Sequence, residues 1–197
     1  MITLYRLLNG QIKAELSTSE INISDDIVWI DLLKPTTEER AQIEKVVGSI
    51  LPSRTEVREI EPSNRLYIEN KILYMTMPIV ATTAENMLDF GQLTFILSGK
   101  RLITLRSADN KAFPMLHKWQ DKLNFSAGIE NVLIGVLEGV VSSIADMLEF
   151  SEDTFGKISN STFNQGDSKT SQHQLRSTLD DIGRICNLLV RTRSSLE

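Results

Sequence analysis

The last third of the chain carries the pattern that most restricts its fold. From Ser126 on, Val132, Val136, Val140, Ile144, Met147, Phe155 and Ile158 recur at helical spacing. Asn164-Gln-Gly-Asp-Ser168 breaks the pattern and offers a new cap. Leu175, Leu179, Ile182, Cys186, Leu189 and Leu196 then resume it. Two long helices with one apolar side each draw their stability from packing that side against something. The short break makes an antiparallel helical hairpin the expected arrangement. The second pattern is still running at Glu197, so the natural chain is expected to continue.

Upstream the pattern is that of short strands. Ile2 to Leu8 meets Asn9-Gly10, a strong hairpin-turn signal, and Gln11 to Leu16 is the return strand. Ile27 to Leu33, with Trp29, reads as a buried central strand stopped by Pro35. Thr36-Thr-Glu-Glu39 opens a helix whose apolar side is Ile43, Val46 and Val47. Ser53 to Ile60 forms a second, short helix ended by Pro62. Leu66 to Ile68 and Ile72 to Ala81 flank the turn Glu69-Asn-Lys71. Gln92 to Leu97 and Arg101 to Arg106 flank Ser98-Gly-Lys100. Lys111 to Leu123 reads as a helix with Pro114 in its first turn. The expectation is therefore an α/β (α+β) fold: a mixed, mostly antiparallel sheet flanked by helices in an α/β/α arrangement. Residues 1–125 form the α/β part, and the long helical hairpin over residues 126–197 packs on it.

Composition narrows the function classes. The chain of 197 residues is 41% hydrophobic, enough for a buried core and unlike disorder. Its net charge of -5 argues against nucleic acid as a partner and suits cations better than phosphates. The single Cys186 excludes an intrachain disulfide and fits a reducing compartment. The start Met1-Ile-Thr-Leu-Tyr-Arg6 lacks the features of a signal peptide. No continuous apolar run reaches the roughly 20 residues that span a bilayer; the best, Val132 to Val141, carries Glu138 and two glycines. By itself the chain reads as soluble and cytoplasmic.

Enzyme chemistry finds no foothold. His117 and His173 have no metal-ligand spacing and read as helix-surface residues. Cys186 lies on the apolar stripe and reads as core. There is no Gly-x-Ser-x-Gly elbow, no Walker loop and no Gly-x-Gly-x-x-Gly. Gly135-Val-Leu-Glu-Gly139 reads as close helix packing in a soluble protein rather than as membrane pairing. Asp146, Glu149 and Asp153 share one solvated helix face. Arg184, Arg191 and Arg193 are expected to pair with that face or to sit at a helix end.

Three stretches point further. Val28-Trp-Ile-Asp-Leu-Leu-Lys-Pro35, then Glu59-Ile-Glu-Pro-Ser63 running into Arg65-Leu-Tyr-Ile-Glu-Asn-Lys-Ile-Leu-Tyr-Met-Thr76, then Thr94-Phe-Ile-Leu-Ser-Gly-Lys-Arg-Leu-Ile-Thr-Leu-Arg106 precede the two long helices. In this order they resemble the cytoplasmic N-terminal domain of the CorA magnesium transporters. The resemblance implies a regulatory, ion-sensing domain of a divalent-cation transporter (Mg2+, with Co2+ or Ni2+ as further cargo) and no enzyme. It implies a homo-pentamer on the cytoplasmic face of the inner membrane. The stalk and membrane helices, with the family's Gly-Met-Asn pore signature, would lie beyond Glu197; no Gly-Met-Asn occurs here. The fragment alone is expected to be monomeric or weakly associated.

The resemblance also implies a regulatory Mg2+ site between subunits. The family often has Glu-Asp-Ile where this chain has Arg58-Glu59-Ile60. Glu59 is the implied ligand, with Glu61 and Glu56 as weaker candidates, and its partner is an Asp on the neighbour's stalk. One or two carboxylates suffice, because Mg2+ keeps most of its waters. Two other readings stand beside this one: a zinc transporter of the same superfamily, for which the chain's His and Cys are few, and a soluble adaptor whose hairpin binds a partner.

Overall fold

The computed structural model describes residues 1–8, 11–17, 24–48, 51–58, 61, 64–82, 88–109, 129–163 and 172–196. Strands β1 (Ile2–Leu8), β2 (Gln11–Ser17) and β3 (Ile27–Leu33) come first. Helices α1 (Thr37–Val47) and α2 (Arg54–Arg58) follow. Then come β4 (Leu66–Glu69), β5 (Ile72–Thr82), β6 (Leu88–Ser98) and β7 (Arg101–Arg106). Two long helices close the order, α3 (Ile129–Phe163) and α4 (Gln172–Leu196). The expected helix over residues 111–123 lies outside the described residues.

The strands make one seven-stranded sheet in the order β2-β1-β3-β7-β6-β5-β4. β3 and β7 run parallel at its centre, and every other neighbouring pair is antiparallel. Leu8 pairs with Gln11 at the end of the β1–β2 ladder; the Asn9-Gly10 turn signal lies outside the described residues. In the β4–β5 turn, Asn70 (φ 50) and Lys71 (φ 65) are both left-handed, as a type I′ turn requires. β6 begins at Leu88, not at Gln92 as the sequence suggested. Gly91 belongs to the strand, paired with Ile79, because its missing Cβ leaves room for Ala108: a Cβ there would lie 2.6 Å from that of Ala108. Pro78 is tolerated in β5 because β4 pairs only with its first residues, Ile72 to Met75.

Alternation along the strands sends two apolar sets to opposite faces. Ile30, Leu32, Ile96 and Ile103 join Ile43 of α1 in one core. Thr36 caps α1 with a full capping box: its hydroxyl accepts from the Glu39 N–H, and the Glu39 carboxylate accepts from the Thr36 N–H. Trp29, Phe95 and Leu102 join Val132, Val136, Val140 and Ile144 of α3 in the other. The layers are helix, sheet, helix, as the pattern predicted.

The long helices depart from expectation in two ways. α3 lies against β3 and β7, α4 lies against β5, and the two helices touch each other. Gly135 and Gly139 are buried, in keeping with close packing. On α4, however, the buried side is Ile185, Leu188, Thr192 and Ser195, and Cys186 is exposed rather than core. Short side chains at 192 and 195 let the helix approach the sheet closely. Ser195 satisfies its hydroxyl on the Arg191 carbonyl, 3.1 Å away. The larger stripe of Leu175, Leu179, Leu189 and Leu196 is turned outward. Second, the stretch Ile129–Asn160 of α3 is long and apolar enough by composition to cross a membrane, with a mean hydropathy of 1.6 in its best window. The run-by-run reading missed this because glycine, alanine and serine interrupt the apolar residues without adding charge. In this fold the stripe beginning at Val132 instead packs on the sheet.

Candidate functional site

The acidic segment begins at α2. Ser53 and Glu56 form a reciprocal cap: the Ser53 N–H donates to Glu56 Oε2 at 2.7 Å, and the Glu56 N–H donates to Ser53 Oγ at 3.1 Å. The Glu56 carboxyl is exposed and held below the ordinary glutamate value, first by the Ser53 N–H, then by its hydroxyl, with the Arg40 charge adding. Glu56 therefore already serves the first turn of a helix. Glu61 is exposed, and its carbonyl accepts from the Asn64 N–H at 2.8 Å. Glu59 lies outside the described residues. Among the described residues, no three His, Cys, Asp or Glu side chains gather as a metal cage.

The segment leads into the Arg65 hairpin, and the structure ties that hairpin to the end of α4. Arg65 Nη1 donates to the Ser194 carbonyl at 3.2 Å and Nη2 reaches Ser194 Oγ at 3.4 Å. The Thr76 N–H donates to the Arg65 carbonyl at 2.7 Å, and Tyr67 stacks on Tyr74 with centroids 4.7 Å apart. The chain that carries Glu61 is thus bound to the last turn of the last helix. Residues 65 and 194 are too far apart in sequence for any local pattern to announce this link. Asp146, Glu149 and Asp153 share an exposed face of α3, as expected. Arg191 does not pair with it; its guanidinium lies 4.4 Å over the Phe90 ring.

A buried polar chain crosses the sheet centre on the α3 side. Arg106 grips Asp31 with Nε at 3.0 Å and Nη2 at 2.8 Å from Oδ2. Thr104 Oγ1 donates to Asp31 Oδ1 at 2.7 Å and accepts from Trp29 Nε1 at 3.0 Å. Arg106 Nη1 extends outward to Asp109 at 2.8 Å. Burial works against the Arg106 charge, but Asp31 outweighs it and raises the guanidinium's pKa. Tyr5, stacked on Trp29 at 3.8 Å, has its phenol pushed up by burial and then by the Asp31 charge. The sequence offered a signal for this pair, a carboxylate inside the apolar run of β3 and an arginine closing β7. It did not offer the parallel register that joins them.

The layered sheet with its paired long helices is a fold shared with solved soluble domains. It superposes on the soluble domain of CorA from Methanocaldococcus jannaschii with a TM-score of 0.72 and 19% identity, covering 100% of this chain and 74% of that one. It is also similar to the ZntB cytoplasmic domain from Vibrio parahaemolyticus, with a TM-score of 0.58 and 14% identity over 98% of this chain and 80% of that one. The chain belongs to the CorA-like Mg2+ transporter family, whose model matches residues 24–196. Magnesium transport protein CorA of Haemophilus influenzae is 28% identical over 123 residues, 62% of this chain and 39% of the relative. The CorA protein of Salmonella typhimurium is 24% identical over 192 residues, 94% of this chain. The chain spans 60% of that relative's length.

Proposed function

We propose that this chain is the cytoplasmic, ion-sensing part of a CorA-type magnesium transporter. The observation that carries the reading is the family match over residues 24–196, joined to a fold shared with a CorA soluble domain. Mg2+ is the cargo, with Co2+ and Ni2+ as further cargo, and five copies surround the pore axis. Mg2+ bound between neighbours favours the closed state, and its loss lets facing acids repel and the ring splay. The exposed carboxylates of Glu56 and Glu61 are hard oxygen donors of the kind Mg2+ takes, and Glu59 between them is the lead ligand. Among the described residues no three such donors gather, which suits a site completed by a neighbour. The Arg65–Ser194 link supports a relay from this segment into the long helix.

The test is Mg2+ uptake by the full-length transporter in vesicles, with internal Mg2+ varied. Flux should fall as internal Mg2+ rises, and Glu59→Ala should move that inhibition to higher Mg2+. Flux indifferent to internal Mg2+ would end the sensing proposal. Uptake of Zn2+ in preference to Mg2+ would favour the zinc branch, to whose ZntB domain this fold is also similar.

A further inference from the structure

A cleft of about 840 Å³ opens beside the hairpin. Lys34, Arg40, Arg65, Arg106 and Arg191 line it, and among the described residues no Asp or Glu does. That is a local reversal in a chain of net charge -5. Two of the five are neutralised: Lys34 by Asp89 at 3.3 Å, and Arg106 by Asp31 and Asp109. The other three meet no carboxylate among the described residues. Arg40 Nη2 donates to the carbonyls of Leu51 and Pro52 at 2.9 and 2.6 Å. Glu56 feels the Arg40 charge but bonds Ser53. Arg65 bonds Ser194, and Arg191 bonds the Asn187 side chain at 3.3 Å. Arg40 Nη1 is buried and has no acceptor among the described residues. Val57, Pro78, Ile79 and Phe90 give the cleft an apolar side.

We propose that this cleft binds a phosphorylated organic anion about the size of a nucleotide. Guanidinium forks match phosphate oxygens, and partly buried ones bind them more strongly than exposed ones. The volume falls within the range of small-molecule sites. The apolar side, with Phe90 under Arg191, suits a flat organic body rather than a bare ion. The same charges repel a metal cation, so the proposal does not rest on the ion-sensing reading.

The test is calorimetric titration of the 197-residue chain with ADP, inorganic phosphate and adenosine in turn, with EDTA present so that no divalent ion takes part. ADP should saturate one site per chain and bind at least about tenfold more tightly than phosphate or adenosine. Arg65→Gln and Arg191→Gln should each weaken ADP about tenfold. Lys100→Gln, on the exposed turn at the far end of β6 and β7, should leave it unchanged. If Arg65→Gln loses its helical circular dichroism, Arg191→Gln carries the test, since Arg191 is exposed. No ADP binding by the folded chain, phosphate binding as tight as ADP, or an equal loss in Lys100→Gln would each overturn the proposal.

Discussion

Among the described residues, Asp31 and Arg106 are the two charges most fully withdrawn from water, their side chains 1% and 5% exposed. Each would cost several kcal/mol to bury alone, and their mutual attraction with three hydrogen bonds between them offsets that cost only while both are present. Thr104 fixes the second carboxylate oxygen, so the pair has one geometry. Asp31→Ala or Arg106→Met should each destabilise the fold by about 3–5 kcal/mol, because Arg106→Met strips Asp31 of its buried counter-charge and Asp31→Ala leaves Arg106 buried with only the exposed Asp109. The double variant should cost clearly less than the two single costs added. Urea unfolding of the four proteins measures this, and additive costs would show that the two residues act independently. The pair stands between β3 and β7, so it pins the parallel register at the centre of an otherwise antiparallel sheet.

At the scale of elements, α1 is the clearest case of local chemistry deciding structure. Its 11 residues begin at a capping box and end at Gly48, left-handed at φ 70. Thr36→Ala should cost about 1 kcal/mol of stability by thermal melt. The Glu39 carboxyl makes the same cap pH-dependent. Burial raises it, but the Thr36 N–H and the Met1 ammonium, 3.0 Å away, outweigh burial and hold it below the ordinary value of 4.5. A carboxyl lowered in the fold contributes stability above the unfolded value and loses it as pH falls through the folded one. The melting gap between the native chain and Glu39→Gln should therefore be full at neutral pH and shrink below pH 4.5. A gap that stayed constant on acidification would assign the effect to shape alone. Elements of this kind were legible because turn residues, caps and alternation lie within a few positions of one another. Thr36 to Glu39 and Asn70-Lys71 each announced their role. The buried side of α4 was not legible. Two candidate stripes run side by side on that helix, and the choice depends on how closely small Thr192 and Ser195 can approach β5. The acidic segment was legible only as a cluster of charges, because metal sites of few ligands leave no spacing to read.

For the whole molecule, the distribution of apolar surface decides how it behaves alone. α3 and α4 each bury one side against the sheet, whereas farther from it they expose Phe150 at 65%, Phe155 at 57%, Leu175 at 58% and Leu179 at 62%. Exposed apolar groups on two touching helices mark surface meant for contact. Under the proposed function such surface meets neighbouring subunits and the remainder of a transporter, of which the chain spans 60% of the length of one relative. A partial interface gives weak association rather than a closed ring. Light scattering should therefore report single-chain mass in dilute solution and a rising mean mass as concentration increases. Phe155→Ser together with Leu179→Ser should suppress that rise and leave the melting temperature within about 2 °C, because both side chains already face water in the monomer. A stable pentamer in dilute solution, indifferent to both substitutions, would move the interface to the sheet or to α1 and remove these exposed helix residues from the account.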